Sequence, residues 1–526
     1  MRYVLVSGGV ISGVGKGIIA SSTGLPFNSQ AFVTDLYWID PYVSVDASLM
    51  APAEHGECFR VLAITSVIWE VTLTGDNNIT TGKIYLGVLQ NESRGGCLGK
   101  TVQIVPHVVD MILDWIKRVA KVPVDGSGEE PGVCIIQLGG TVGDIENALR
   151  HEAGSSNFLS IFVSYVPSTV RSHGLIPDLV EVEQVVVVRD MPTVYQVPLL
   201  LREQNLVPLL QSKLNLGGLY IPPSSVAAGA ILWETWTSVV TKAFDATVDI
   251  ALVGKYVQHH DAYLSVEKFL EHSCMRIGRN LNIRWIDSGH LEPKTQVDEP
   301  EKYQAAWDQL KTASGIIVPG GFGVRGVEGM MLASKWVREN GTPFLGVCLG
   351  FQITVIQYAR DKCSISGANS EEFDAGANGH VIIHMPEINR ENMGGTMRLG
   401  LHKTIFQSDT EWSKLRAMYG GAEVIEERHR HRYEVNPQYV ERLPKAGLHF
   451  IGEDTKGERM GVFELKDHPY FVGTQFHAEY QSRVLDPSKP YLGFVAASAG
   501  CLDEVIRGQG LAASELPNGV NGGDHF

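Results

Sequence analysis

The sequence predicts an α/β protein of two doubly wound, mostly parallel-sheet domains, a P-loop-like N-terminal one and a C-terminal one, and three observations carry the prediction. Short β-branched or apolar runs alternate with longer helical patterns, as expected of strands covered by helices on both faces. A glycine-rich turn follows the first such run and another follows a run in the second half, where this fold class meets its ligands. At 526 residues the chain is also too long for a single hydrophobic core.

The elements follow in order. Strand-like runs occupy residues 3–7, 134–138, 158–163, 185–188, 250–253, 316–318 and 344–347. Leu219-Tyr220-Ile221-Pro222-Pro223-Ser224-Ser225 reads as a linker-like break, and the apolar stripe over 230–244 predicts a connecting helix before a second α/β domain opens near Val248. The expected division is therefore 1–220, a linker with helix over 221–247, a second domain over 248–507, and a tail over 508–526. That tail has little to bury and is expected to be disordered.

Composition bounds the function. A formal charge of −15 argues against a general nucleic-acid binder, which needs a basic face. The seven cysteines show no paired CxxC spacing, so neither a zinc site nor a disulfide framework is indicated, and a reducing cytosol fits. The first residues, Met1-Arg2-Tyr3-Val4-Leu5-Val6, enter an apolar strand directly, unlike a secretory signal. No run reaches membrane-spanning length.

Two motifs carry chemistry. In Gly346-Val347-Cys348-Leu349-Gly350, a thiol stands between glycines after an apolar run, as on a sharp strand-to-helix turn that presents a nucleophile. A lone cysteine is more often a small buried hydrophobe. Here, however, His477 and Glu479, at alternate positions of an expected strand end, supply a base and its orienting carboxylate. Upstream, Pro319-Gly320-Gly321-Phe322-Gly323 follows a buried run and offers backbone N–H groups to an oxyanion. The second motif, Ser7-Gly8-Gly9-Val10-Ile11-Ser12-Gly13-Val14-Gly15-Lys16-Gly17-Ile18, places N–H groups, a helix start and a lysine where nucleotide phosphates bind. It carries one residue more than Walker spacing, and Gly17 stands where Ser or Thr reaches Mg²⁺.

The PGGFG turn, GVCLG elbow and HxE pair together resemble the class I glutamine amidotransferases. With the phosphate loop in front, the chain resembles the CTP synthase family along nearly its whole length. The likeness rests on GGVISGVGKGIIASS (8–22), IDPY (39–42), EHGE (54–57), DNNITTGKIY (76–85), LGKTVQIVPH (98–107), LGGTVGDIE (138–146), VPLLL (197–201), VGKY (253–256), PGGFGVRG (319–326), GGTMRLG (394–400), ERHRHRYEVN (427–436) and HAE (477–479).

The resemblance implies a glutamine-dependent ligase of pyrimidine nucleotide biosynthesis, in which ATP and Mg²⁺ phosphorylate the 4-oxygen of UTP and ammonia from glutamine displaces phosphate. It assigns Ser12, Asp144, Ile145 and Glu146 to UTP or product CTP, and Gly13, Val14, Gly15, Lys16, Gly17, Ile18, Arg189, Asp190 and Met191 to ATP. Cys348, His477 and Glu479 become the catalytic set, with the N–H groups of Gly321 and Leu349 as oxyanion hole. Gly321, Leu349, Gly350, Phe351, Gln352, Glu372 and Arg432 hold glutamine, Glu372 meeting an ammonium and Arg432 a carboxylate. It further implies GTP as allosteric activator, a homotetramer or filament, a cytoplasmic location, and no nucleic-acid or membrane partner.

Departures concentrate in the first half. Trp38 replaces a family lysine, Gln137 a family Mg²⁺ carboxylate, and an acidic stretch after Glu57 and a basic segment near 168–176 are missing. A neutral amide is a poor Mg²⁺ ligand, so no metal site is expected intact. Three readings stand open at this point: a working CTP synthase, a homologue reduced to glutaminase activity, and a non-catalytic subunit of family oligomers.

Overall fold

The computed structural model describes residues 1–8, 15–28, 34–40, 75–97, 100–124, 130–139, 143–154, 156–165, 182–218, 221, 223–386 and 397–508. They divide into two compact units, one ending at Lys242 and the other opening at Ala243. Ser12, Gly13, Val14, the residues that follow Glu57 where an acidic stretch is missing, residues 168–176, and the tail beyond Gly508 lie outside the described residues, as do the side chains of Trp38, Asp144 and Ile145.

In the first unit, strands β1 (Arg2–Gly8), β2 (Thr34–Asp40), β3 (Asn78–Thr80), β4 (Val133–Leu138), β5 (Phe158–Tyr165) and β6 (Val185–Val188) form one sheet in the order β3-β2-β4-β1-β5-β6. All its pairings are parallel. Alternation explains why both faces are covered. Val4 and Val6 of β1 join Val133 and Ile135 of β4 in one core, whereas Leu5, Cys134, Ile136 and Leu138 point into another. The order puts Gly8, which ends β1, beside the end of β4, and helix Lys16–Asn28 starts there.

The helix expected across the join runs over Pro223–Val240 and docks on the first unit. The Trp236 indole donates to the Tyr195 carbonyl at 3.1 Å, and Gln196 donates to the Val240 carbonyl at 2.8 Å. A tryptophan that buries its ring and satisfies its N–H fixes a helix better than a linker needs.

The second unit holds β7 (Thr247–Gly254), β8 (Asn280–Asp287), β9 (Gly315–Val318), β10 (Phe344–Val347), β11 (Ala368–Ser370), β12 (Gly379–His384), β13 (Arg398–Phe406), β14 (Val424–His431), β15 (Tyr433–Val435), β16 (His449–Glu453), β17 (Met460–Glu464) and β18 (Phe471–Thr474). Its main sheet runs β14-β13-β16-β17-β18-β10-β9-β7-β8, with β11-β12-β15 apart. From β8 to β18 the pairing is parallel, and from β18 to β14 it is antiparallel. The fold class is the predicted one, with an antiparallel wing that the apolar runs did not signal. Strands β9 and β10 are buried throughout, so two covered faces make them read as unbroken apolar runs.

Candidate active site

Strand β10 delivers Cys348 at φ 51°, ψ −97°, directly before helix Leu349–Asp361. A non-glycine residue with positive φ is held there only by its surroundings. The Cys348 N–H donates to the Thr474 carbonyl at 2.7 Å, which fixes the turn to β18. Its two glycines are required by space: a Cβ on Gly350 would stand 2.0 Å from the Val318 carbonyl oxygen, and one on Gly346 2.9 Å from the Gly350 carbonyl. The helix therefore starts hard against β9, and the thiol is turned toward the carboxyl ends of the parallel strands. Its Sγ lies 3.8 Å from the Arg430 carbonyl oxygen and 3.7 Å from Gln475 Nε2.

Strand β18 pairs with β10 through Val347 and Thr474 and ends there, so His477 and Glu479 do not alternate along a strand as expected. They sit just beyond it, Glu479 in a single 3-10 turn, Ala478–Gln481. His477 Nδ1 lies 2.7 Å from Glu479 Oε1, with both side chains buried. Tyr491 adds a contact at 3.4 Å to the other carboxylate oxygen. A carboxylate on Nδ1 holds the proton there and leaves Nε2 as the acceptor. The His477 N–H donates to the Arg428 carbonyl at 2.8 Å, two residues from the carbonyl that faces the thiol, so strand β14 positions both groups.

The loop after β9 completes one wall. A Cβ on Gly321 would meet Leu349 Cδ2 at 3.2 Å, so the two residues expected to form the oxyanion hole are packed together. Lys255, fully buried at the end of β7, donates to the carbonyls of Phe322, at 3.2 Å, and Gly323. With its carbonyls drawn toward Lys255, the loop is held in one orientation. The Gly323 N–H donates to Glu372 Oε1 at 2.8 Å, and the Arg432 guanidinium lies 5.6 Å from the Phe322 ring centroid. Burial pushes the Glu372 carboxyl up, against the Gly323 N–H, Lys255 and Arg432, which act to lower it. Burial likewise pulls the Arg432 guanidinium down. Both expected recognition charges therefore converge on one loop.

Two expected glutamine contacts point elsewhere with their side chains. The Phe351 ring is in the core, stacked 5.0 Å from Phe463. Gln352 spends its Nε2 inside the protein, on the Tyr433 carbonyl and on Gln475 Oε1, both at 3.1 Å. Only their backbone and Gln352 Oε1 are left for a ligand. Sequence reasoning missed Lys255 and Gln475. Lys255 had a signal, a lysine inside an apolar strand end; Gln475, two residues before His477, had none.

In the first unit, Gly15 has φ +84°, and Lys16, Gly17 and Ile18 make the first turn of helix Lys16–Asn28. The Lys16 stem packs over Gly8, where a Cβ would meet its Cγ at 3.3 Å, and burial lowers its ammonium below the usual lysine range. Glu146, in helix Gly143–Ala153, accepts from the Ser160 hydroxyl at 2.5 Å and lies 3.5 Å from Arg150. Arg189 and Asp190 are exposed just past β6, Arg189 lying 3.8 Å from Glu203, while Met191 packs on the core. Gln137 stands opposite Trp38 in the register of β2 and β4, and its buried Oε1 has no hydrogen-bond partner among the described residues. Among the described residues no three His, Cys, Asp or Glu side chains group as metal ligands. One neutral amide oxygen does not amount to a magnesium site.

The first unit's sequence matches the CTP synthase N-terminus model over residues 2–177, and residues 258–497 match the class-I glutamine amidotransferase model. CTP synthase of Neurospora crassa is 54% identical over 580 aligned positions, covering 100% of both chains. The chain belongs to the CTP synthase family. CTP synthase of Gibberella zeae is 50% identical over 99% of both chains. The solved glutaminase domain of Trypanosoma brucei CTPS, with bound acivicin, is 38% identical, with 94% of its length and 48% of this chain covered and a TM-score of 0.44. The 580 positions exceed the 526 residues of this chain, so this CTP synthase family member lacks segments that the Neurospora relative has. Among the described residues, no helix is long and apolar enough to cross a membrane.

Proposed function

We propose that the protein converts UTP to CTP, consuming ATP and taking nitrogen from glutamine, with the chemistry divided between its two units. Cys348, deprotonated by His477, attacks the side-chain amide carbon of glutamine. The resulting oxyanion is met by the N–H groups of Gly321 and Leu349. His477 then gives its proton to the departing nitrogen, ammonia leaves, and a glutamyl thioester remains; water, deprotonated by the same imidazole, releases glutamate. Glu479 keeps the imidazole in one tautomer throughout. Glu372 pairs with the substrate ammonium and Arg432 with its carboxylate. The observation that supports this reading best is the positive-φ thiol beside β18, whose continuation carries the 2.7 Å His477–Glu479 pair.

For the first unit the reading rests on family membership together with Lys16 at a helix start above Gly8. Lys16 and the N–H groups around Gly15, Gly17 and Ile18 hold ATP phosphates, Glu146 contacts UTP or CTP, and Arg189 to Met191 border the adenine. Ammonia displaces phosphate from the activated 4-carbon of the pyrimidine. Magnesium, when bound, supplies charge neutralisation at the phosphates. The described residues do not make a site for it. The domain limits, a homo-oligomer, cytoplasmic location and GTP activation belong to the same proposal.

Two assays test the reading. Incubation with UTP, ATP, Mg²⁺ and ammonium is expected to give CTP; its absence would refute the synthetase half. Glutamate release from glutamine is expected to vanish in Cys348→Ala, and an unchanged rate would remove the thiol as nucleophile.

A further inference from the structure

The orientation of Gln475 can be fixed from the backbone outward. The Tyr433 carbonyl is an acceptor only, so the end of Gln352 that faces it at 3.1 Å is the amide nitrogen. That nitrogen also faces Gln475 at 3.1 Å and must meet an oxygen there. The remaining end of Gln475, its NH₂, is thereby turned to Cys348 Sγ at 3.7 Å. A flip of either amide would set donor against donor or acceptor against acceptor. All three side chains are buried, so water does not compete for these groups. The Gln475 N–H is itself anchored on the Gly461 carbonyl at 2.8 Å, and Thr474, its neighbour, holds the Cys348 N–H.

We propose that Gln475 is a further catalytic residue, whose amide N–H stabilises the Cys348 thiolate, and that Gln352 is the positioning residue that locks it in the donating orientation. A neutral thiol gains little from a second donor, since its own S–H points to the Arg430 carbonyl at 3.8 Å. The anion gains a charge-assisted bond, roughly twice as strong as a neutral one. The relay therefore favours transfer of the Cys348 proton to His477, which then holds it for the departing nitrogen. The inference rests on the glutaminase reading for its purpose, but not for its test.

Alkylation of the full chain by iodoacetamide, read on the Cys348 peptide by mass spectrometry, reports thiolate population without turnover; Cys348→Ala identifies the signal. Gln475→Leu and Gln352→Leu are each expected to slow alkylation about tenfold or more at neutral pH. The deficit is expected to close at alkaline pH, where every thiol ionises unaided. Gln475→Glu keeps the volume and the bond from Gln352 but has no N–H to give, so a merely structural role would be rescued by it and the proposed one would not. Should Gln475→Leu fail to fold by circular dichroism, Gln352→Leu, one residue removed from the sulfur, carries the same readout. Wild-type alkylation in these variants, or a deficit independent of pH, overturns the relay. Glutamate release without a relay effect sinks this inference alone; a relay effect without glutamate release sinks the glutaminase reading alone.

Discussion

Tyr419 donates its hydroxyl to Glu427 Oε1 at 2.6 Å, while the second oxygen of that carboxyl, also buried, has no hydrogen-bond partner among the described residues. Glu427 lies on β14, one residue before the carbonyl that anchors His477, and the Glu479 carboxylate is close enough to repel its charge. Burial above all, with Glu479 adding to it, pushes the Glu427 carboxyl from 4.5 to about 8. The Glu427 carboxyl is thus favoured in its neutral form up to about pH 8.

That arrangement has a pH signature. Below pH 4.5 the folded and unfolded chains both hold the Glu427 proton. Between about pH 4.5 and about pH 8 only the folded chain holds it, so this group's contribution falls as pH rises. The slope is at most about 1.4 kcal/mol per pH unit. Glu427→Gln, an uncharged isostere, is expected to flatten it, and its melting temperature should gain on wild type steadily from mildly acid to mildly alkaline pH. Parallel curves would contradict a protonated Glu427.

Glutamine recognition should show the opposite dependence. Glu372 must be ionised to pair with an ammonium, yet burial raises its carboxyl. As pH falls, KM for glutamine is expected to climb before an ordinary carboxylate would titrate, with kcat less affected. Glu372→Gln should raise KM about tenfold or more and remove that acid-side rise, and Arg432→Met should raise KM comparably, since each loses one charge-assisted bond. Initial-rate measurements across pH separate the two parameters.

How much of this was legible follows from what each residue does. Strands β1, β4, β9 and β10 announce themselves because both faces are buried. Strand β2 and the wing strands β13 and β14 do not. Arg398–Phe406 and Val424–His431 mix charged and histidine residues with apolar ones, and their burial depends on neighbours far away in sequence. The GVCLG elbow was readable since glycine is required wherever a Cβ would strike a carbonyl, as at Gly350. The HxE pair was readable as chemistry but misplaced by strand period, because β18 ends at Thr474. Lys255 and Gln475 act through bonds to a distant loop and to a sulfur 127 residues away, and no local pattern encodes such a partner.

Lys255 offers a test of loop positioning. Its ammonium is buried and serves the carbonyls of Phe322 and Gly323, the first in the same peptide as the Gly323 N–H that meets Glu372 and the second in the next one. Lys255→Met keeps the stem and removes those donors, leaving carbonyls to reorient. Glutaminase kcat is expected to fall about 10²-fold, the scale of losing one oxyanion donor. Alkylation of Cys348 should stay near wild type, since the thiol's own contacts are untouched. A large loss of alkylation would mean that the substitution disturbs the elbow itself.

The closest approach in the site yields the sharpest stability prediction. Gly350 starts a helix against β9, and the added methyl of Gly350→Ala would stand 2.0 Å from the Val318 carbonyl oxygen and 2.9 Å from its carbon. Backbone cannot swing aside as a side chain does, so either β9 shifts or the helix start lifts away. The cost belongs at the upper end of about 1–3 kcal/mol for overpacking. Because Cys348, at positive φ, stands two residues before this close approach, a shift that relieves the clash is expected to disturb the elbow as well. Gly350→Ala is therefore expected to lower the urea midpoint and to abolish glutamate release together. Gly341→Ala, at a helix end with open space around it and φ +67°, strains only its own backbone, and should cost stability without touching glutamate release. If Gly350→Ala proved as active as wild type, the elbow would not need the contact that shapes it here.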